Sequence, residues 1–250
     1  MLKTGVVSVS FRQLSVDEVI KYAKDAGLSA IEWGSDVHAP YTDKEKLEYI
    51  AAAQKESGIV CSSYGTYFKL GEHDVNELYG YVEAAKILGT NILRLWCGNK
   101  NYSDLTPEER EFMISECKKA AKIAEECGAI FCMECHNRSF TNTLAGALDL
   151  MNTINSPAFR MYWQPSTTAP VEDNIEYAKA IAPYTYNIHV FYYVEGKKNW
   201  LKNGIETWEK YLDNFDGDRY LLLEFMPDNS PESLKGEAEA LARIAAIYNK

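Results

Sequence analysis

Four polar side chains close four successive apolar runs in the second half of the chain. Glu134 ends Ala129-Ile-Phe-Cys-Met-Glu134, Gln164 ends Arg160-Met-Tyr-Trp-Gln164, His189 ends Tyr186-Asn-Ile-His189, and Glu224 ends Tyr220-Leu-Leu-Leu-Glu224. One Glu at a strand end is ordinarily a loop anchor, and one His is ordinarily a hydrogen-bonded core residue. The repetition changes that reading. Two carboxylates brought together away from water repel each other, and their pKa values rise unless a cation lies between them. Carboxylate, imidazole and amide oxygen form a ligand set suited to Mn²⁺, Co²⁺, Mg²⁺ or Zn²⁺. One divalent ion held by Glu134, Gln164, His189 and Glu224 is therefore expected. An ion that polarises a carbonyl makes the neighbouring carbon acidic enough for a carboxylate to deprotonate. Glu134 and Glu224 are the expected acid–base residues, with His136 in reserve, two positions beyond Glu134 and hence at the same rim.

These four ends meet only if the runs are neighbouring parallel strands, and the spacing of the chain requires that. Side-chain caps followed three residues later by Glu open helices at Ser15…Glu18, Thr42…Glu45, Asp74…Glu77 and Thr106…Glu109, the last with Pro107 at the first helical position. Gly27, Gly58, Gly89 and Gly128 stand where helices should stop. After each comes a short apolar run: Leu28–Trp33, Ile59–Ser63, Asn91–Trp96 and Ala129–Glu134. Further strands are expected at Thr4–Ser10, Phe159–Gln164, Tyr186–Val190 and Tyr220–Phe225. Helices are expected at Thr143–Ile154, Glu172–Ile181, Ile205–Phe215 and Pro231–Tyr248. Eight βα units in 250 residues match a single-domain (βα)8 TIM barrel over residues 1–250. An open doubly wound sheet would carry a Gly-rich turn after the first strand, and Ser8-Val-Ser-Phe-Arg12 has none. In a barrel strand alternate residues face inward, so counting back from Glu134 puts Cys132 and Ile130 inside, with Met133 and Phe131 against the helices. The same count puts Leu222 beneath Glu224.

Composition sets outer limits. The chain carries 26 Lys and Arg against 36 Asp and Glu, a net charge of −10, which disfavours a nucleic-acid partner. No run is long and apolar enough for a bilayer, and Met1-Leu-Lys-Thr-Gly leads into a strand with no signal-peptide core. The six cysteines are scattered through core-like segments, so reduced thiols and a cytoplasmic location are expected. Cys132-Met-Glu-Cys135 has CxxC spacing, but positions i and i+3 of a strand face opposite sides, and the pair reads as core. His73 reads as a solvated surface residue. His38, in Asp36-Val-His-Ala-Pro40 after the second strand, is a candidate substrate contact at the rim, with loop packing as its alternative. Trp33, Trp96 and Trp163 read as core or helix-facing, but an inward Trp96 could stack on a sugar face. Arg94 shares its inward parity, so Arg94 and Trp96 are candidate substrate-binding residues, and Arg94 needs an acidic partner inside the barrel.

The segments Phe-Cys-Met-Glu134-Cys-His136, Asn-Ile-His189, Leu-Leu-Leu-Glu224-Phe and Asp36-Val-His38-Ala-Pro resemble the xylose isomerase-like TIM-barrel superfamily, which includes ketose 3-epimerases, inosose dehydratases and apurinic endonucleases of the endonuclease IV type. The resemblance spans the whole chain. It implies a metal site of Glu, Asp, His and Glu from strands five to eight. Three of these carry over as Glu134, His189 and Glu224, while Gln164 stands at the Asp position. The epimerases' substrate-handling His and Arg fall here at about Thr167 and near Glu195, which weighs against ketohexose 3-epimerisation. The endonuclease's three-zinc cluster needs histidines in the loops Tyr64–Lys69 and Tyr192–Leu201, which have none. The implied activity is metal-dependent isomerisation or epimerisation of a small carbohydrate by proton abstraction next to a carbonyl. A lyase or dehydratase acting on a keto-sugar or keto-inositol is the nearest alternative. A barrel that binds sugar without catalysis is the contrasting one. The implied partner is a small sugar or polyol, with no nucleic acid or membrane, and a homodimer is the assembly to test.

Overall fold

Apolar runs of five or six residues between glycine-stopped helices leave the backbone few choices but buried parallel strands. The computed structural model describes residues 1–249 and follows that rhythm. The first half runs β1 (Leu2–Val7), α1 (Val16–Asp25), β2 (Ala30–Gly34), α2 (Lys44–Glu56), β3 (Val60–Leu70), α3 (Leu78–Leu88), β4 (Ile92–Cys97) and α4 (Pro107–Cys127). The second runs β5 (Ile130–Glu134), α5 (Leu144–Ile154), β6 (Phe159–Trp163), α6 (Val171–Ile181), β7 (Thr185–Val190), a small hairpin of β8 (Tyr192–Val194) and β9 (Lys197–Asn199), α7 (Ile205–Leu212), β10 (Arg219–Leu223) and α8 (Leu234–Tyr248). Eight strands close a barrel in the order β1-β10-β7-β6-β5-β4-β3-β2, every pairing parallel.

Alternation along each strand divides the core in two. Ile31, Trp33, Leu93, Leu95, Phe131, Met133, Met161, Trp163, Leu221 and Leu223 pack outward against the helices. Val7, Cys132, Tyr162 and Leu222 fill the barrel, with Ile92 and Ile130 beside them. Cys132 and Cys135 are buried free thiols, as are Cys61, Cys97 and Cys117.

Several helix boundaries follow local chemistry closely. Ser15 and Thr106 form full capping boxes with Glu18 and Glu109, and Gly89 and Gly128 close their helices at φ 87° and 68°. Others differ from expectation. Asp43, not Thr42, caps α2 by accepting from Lys46 N–H, and Asp74 caps a short 3-10 turn ahead of α3. β1 ends at Val7, and Ser8–Phe11 turn into a 3-10 helix whose Ser8 hydroxyl accepts from Gly34 N–H. The β8–β9 hairpin was not expected from periodicity, because its strands are three residues each; Glu195 (φ 49°) and Gly196 (φ 73°) supply the left-handed turn that joins them. No described helix is long and apolar enough to cross a membrane.

Candidate metal and active site

The barrel mouth at the C-terminal ends of the strands opens into a cavity of about 400 Å³. Glu134 ends β5, Gln164 follows β6, His189 lies in β7 and Glu224 follows β10, so four strand ends bring the side chains together, with Glu134, Gln164 and Glu224 lining the mouth and His189 buried against them. A register shift between Met161 and Trp163 on β6, against Thr185 and Ile188 on β7, lets the two strands twist past each other. His189 Nδ1 is the meeting point. It lies 3.2 Å from Gln164 Oε1, 3.4 Å from Glu134 Oε1 and 3.4 Å from Glu224 Oε2. Gln164 Nε2 donates to the Cys135 carbonyl, which aims its amide oxygen inward.

These separations suit a dication. Ligands about 2.0–2.2 Å from one ion stand roughly 2.8–3.6 Å from each other at tetrahedral or octahedral angles. Among the described residues, Glu134, His189 and Glu224 each offer an atom, all within 4.8 Å of one another. Glu224 Oε2, on the side of His189 Nδ1, is buried without a hydrogen-bond partner, and such a group needs an explanation. Charge points the same way. The buried cluster holds Glu32, Glu134 and Glu224 against Arg94, and one dication with a neutral imidazole would bring the sum to zero. The donor set therefore fits a divalent ion.

The two glutamates have different surroundings. Burial by itself would raise the Glu134 carboxyl, but the Arg94 charge and His189 hold it well below the usual carboxylate range. Arg94 Nη1 and Trp96 Nε1 both donate to its Oε2. Glu224 is pushed up, chiefly by burial, with Glu134 adding to the effect and His189 opposing it. In the absence of an ion, burial lowers the His189 pKa, but Glu224 and Glu32 outweigh it and raise the group to about 10.

Arg94 and Trp96 line the cavity, as does His136, whose ring stacks on Trp96 with centroids 4.6 Å apart. His136 Nδ1 lies 2.6 Å from the Asn137 carbonyl, which turns Nε2 toward the mouth. His38 is a correction. It lies buried beneath its loop with Nε2 3.1 Å from the Leu14 carbonyl and its ring edge-on to Trp33, and it is not among the cavity-lining residues. The loop folds back over the outward-facing Trp33, so the imidazole packs on the helix side of the strand.

Glu32 was missed by sequence reasoning. It points inward from β2, where its Oε1 accepts from Arg94 Nε at 2.8 Å, while Tyr162 and Ser63 hydroxyls donate to Oε2 at 2.6 and 2.8 Å. The parity argument that found Glu134 applies equally to Ala30-Ile-Glu32-Trp33. Gly65 makes the Arg94–Glu32 contact possible, because a Cβ there would sit 2.7 Å from Arg94 Nη2 and 2.9 Å from Glu32 Oε1. Tyr67 (φ 55°) and Phe225 (φ 59°) also line the mouth in strained left-handed backbone, which clusters at functional sites. Tyr67 accepts from Arg12, itself paired with Asp36 at 2.7 Å.

The chain belongs to the xylose isomerase-like TIM barrel family, whose model matches residues 20–244. It is 22% identical to the 3-dehydroshikimate dehydratase of Bacillus anthracis, over 96% of each chain. The crystal structure of the probable 3-DHS dehydratase AsbF from the same organism superposes with a TM-score of 0.80 at 17% identity, over 97% of this chain and 99% of that one. D-psicose 3-epimerase from Clostridium cellulolyticum H10 matches with a TM-score of 0.72 at 15% identity, over 98% and 99%. The IolI protein, solved with a zinc atom, matches with a TM-score of 0.78 at 14% identity, over 98% and 99%.

Proposed function

We propose that this protein is a divalent-metal-dependent enzyme that abstracts a proton next to the carbonyl of a small carbohydrate and isomerises or epimerises it. The observation that carries this reading is the convergence of Gln164, Glu134 and Glu224 oxygens within 3.2–3.4 Å of His189 Nδ1 at the floor of the cavity. When bound, the ion supplies Lewis-acid polarisation of the substrate carbonyl and offsets the negative charge that develops beside it. Glu134, held by Arg94 and Trp96, stays ionised and serves as a ligand. Glu224, which lines the cavity and has neither a guanidinium nor an indole on its oxygens, takes the proton from carbon. His136 stands at the mouth with Nε2 free to return or relay a proton. Trp96 lines the cavity with its ring stacked on His136 and its Nε1 holding Glu134.

Dehydration of a keto-sugar is a second reading. It is favoured by the inequality of the glutamates: one proton-accepting carboxylate suffices to start an elimination, with His136 placed to protonate a departing hydroxyl. The dehydratase relative supports it. Incubating the Mn²⁺-loaded protein with a panel of keto-sugars in heavy water tests both. Deuterium at the carbon next to the carbonyl without loss of mass supports isomerisation or epimerisation. Loss of water to give a conjugated product supports dehydration. Turnover with the original hydrogen retained would point to a hydride shift and sink both.

A further inference from the structure

Glu32 lies at the centre of the buried polar network yet reaches neither the cavity nor the ligand-facing nitrogen of His189. Its side chain is fully buried and held from both ends, Oε2 by Tyr162 and Ser63 and Oε1 by Arg94. The two hydroxyl oxygens lie 3.1 Å apart, each with its proton directed at Oε2. The same Oε1 faces His189 Nε2 at 3.4 Å. The imidazole therefore lies between two sets of oxygens, with Glu32 behind Nε2 and the three converging ligand oxygens before Nδ1.

We infer that Glu32 is a positioning residue that accepts the Nε2 proton of His189 and so presents the Nδ1 lone pair to the metal. This rests on the metal reading above and adds to it the reason for the ligand nitrogen. A neutral imidazole carries one N–H, and the hydrogen bond made by one nitrogen decides which form is present. With Glu32 in place the proton belongs on Nε2. With an apolar residue there, the proton is better placed on Nδ1, where Glu134, Gln164 and Glu224 would all accept it, and that nitrogen no longer ligates. Glu32 also holds Arg94 by its Nε, which leaves Nη1 free for Glu134. One carboxylate thus orients a neighbour of each of two ligands. The network is anchored on β2, β3, β4 and β6, so it is rigid before any ion arrives.

Cadmium and isotope-labelled histidine test this directly. In wild-type protein loaded with ¹¹³Cd²⁺, the His189 resonance should show scalar coupling from the metal to Nδ1 and a proton on Nε2. Glu32→Leu should lose that coupling or transfer it to Nε2, with Cd²⁺ affinity by calorimetry falling about 10–100-fold. Glu32→Gln keeps an amide oxygen for Nε2–H, because the Tyr162 and Ser63 hydroxyls can rotate to accept from its amide nitrogen, and should keep the Nδ1 coupling. If Glu32→Leu does not fold, Glu32→Asp withdraws the carboxylate by one methylene and should show the same loss. Nδ1 coupling with wild-type affinity in the folded Leu or Asp variant would overturn the inference, as would a Gln variant as damaged as the Leu one. A wild-type chain that binds no Cd²⁺ would remove the metal reading and this inference together, so the two failures are distinguishable.

Discussion

Glu134 and Glu224 are the same residue at the same barrel mouth, and their partners give them different chemistry. Arg94 and Trp96 occupy the Glu134 Oε2, whereas Glu224 Oε2 is buried and unpaired. A carboxylate pinned by a guanidinium is a poor base, and a desolvated one is a better base. Glu224→Gln should therefore lower kcat by about 10²–10⁴ at saturating Mn²⁺, because it removes the proton acceptor, and steady-state kinetics would show this directly. Wild-type kcat in that variant would move the proton-accepting role to His136. Gln164 supports a second prediction. Its oxygen is already aimed at the site by the Cys135 carbonyl, so Gln164→Asp adds a charge where a dipole now points. Metal affinity should tighten on the order of tenfold, with no required gain in rate, since the ion becomes a poorer electrophile. Metal titrations across pH should also show affinity climbing as pH rises. Both Glu224 and His189 hold their protons above their ordinary ranges in the metal-free protein, and the ion must displace them.

Among the elements, the β8–β9 hairpin is the outlier to an otherwise regular βα succession. Its following turn is tied to the barrel by one buried carboxylate. Glu237 of α8 accepts from Leu201 N–H through both oxygens, at 3.0 and 3.3 Å. Burial raises the Glu237 carboxyl to about 7, against the pull of the Leu201 amide. The folded state therefore holds this proton more tightly than the unfolded chain does. The stability it contributes is fully present below the ordinary carboxylate pKa and is lost as pH rises through about 7. Glu237→Gln keeps an acceptor for Leu201 without the titration. Thermal melts at pH 5 and pH 8 should show wild type losing stability between the two, and the variant losing less. An identical pH dependence in both proteins would mean that Glu237 is solvated in the folded state.

The whole molecule depends on closing eight strands around a thin interior, and β1 is the seam. Gly5 lies between β2 and β10, where a Cβ would stand 2.5 Å from the Ala30 carbonyl oxygen and 2.7 Å from Leu222. Because one of those neighbours is backbone, it cannot rotate away. Gly5→Ala should cost about 1–3 kcal/mol of stability, read by urea denaturation, without changing any cavity-lining residue. Metal acts on the same scale. An ion that binds only the folded protein stabilises it by mass action, so saturating Mn²⁺ should raise the melting temperature and a chelator should reverse it. At a hundredfold excess over Kd the gain is about 2.7 kcal/mol, and no shift would argue against a resident ion.

The eight βα units, the parallel barrel and the family were legible in the residues, because caps, glycine stops and two-residue alternation are local signals, whereas the short β8–β9 hairpin was not. The same alternation placed Glu134, Gln164, His189 and Glu224 at one rim, since inward parity and strand order are enough to bring four strand ends together. What it left open was decided by neighbours remote in sequence. Glu32 meets Tyr162 across the barrel, 130 positions away, and meets Arg94 through the space left by Gly65. His38 turned away from the mouth because its loop folded over Trp33, a choice that no periodicity encodes. The unequal characters of Glu134 and Glu224 likewise come from Arg94 and Trp96 on a different strand. Periodicity specifies which face a side chain takes, but burial and hydrogen-bond partners set its protonation, and those exist only once the barrel has closed.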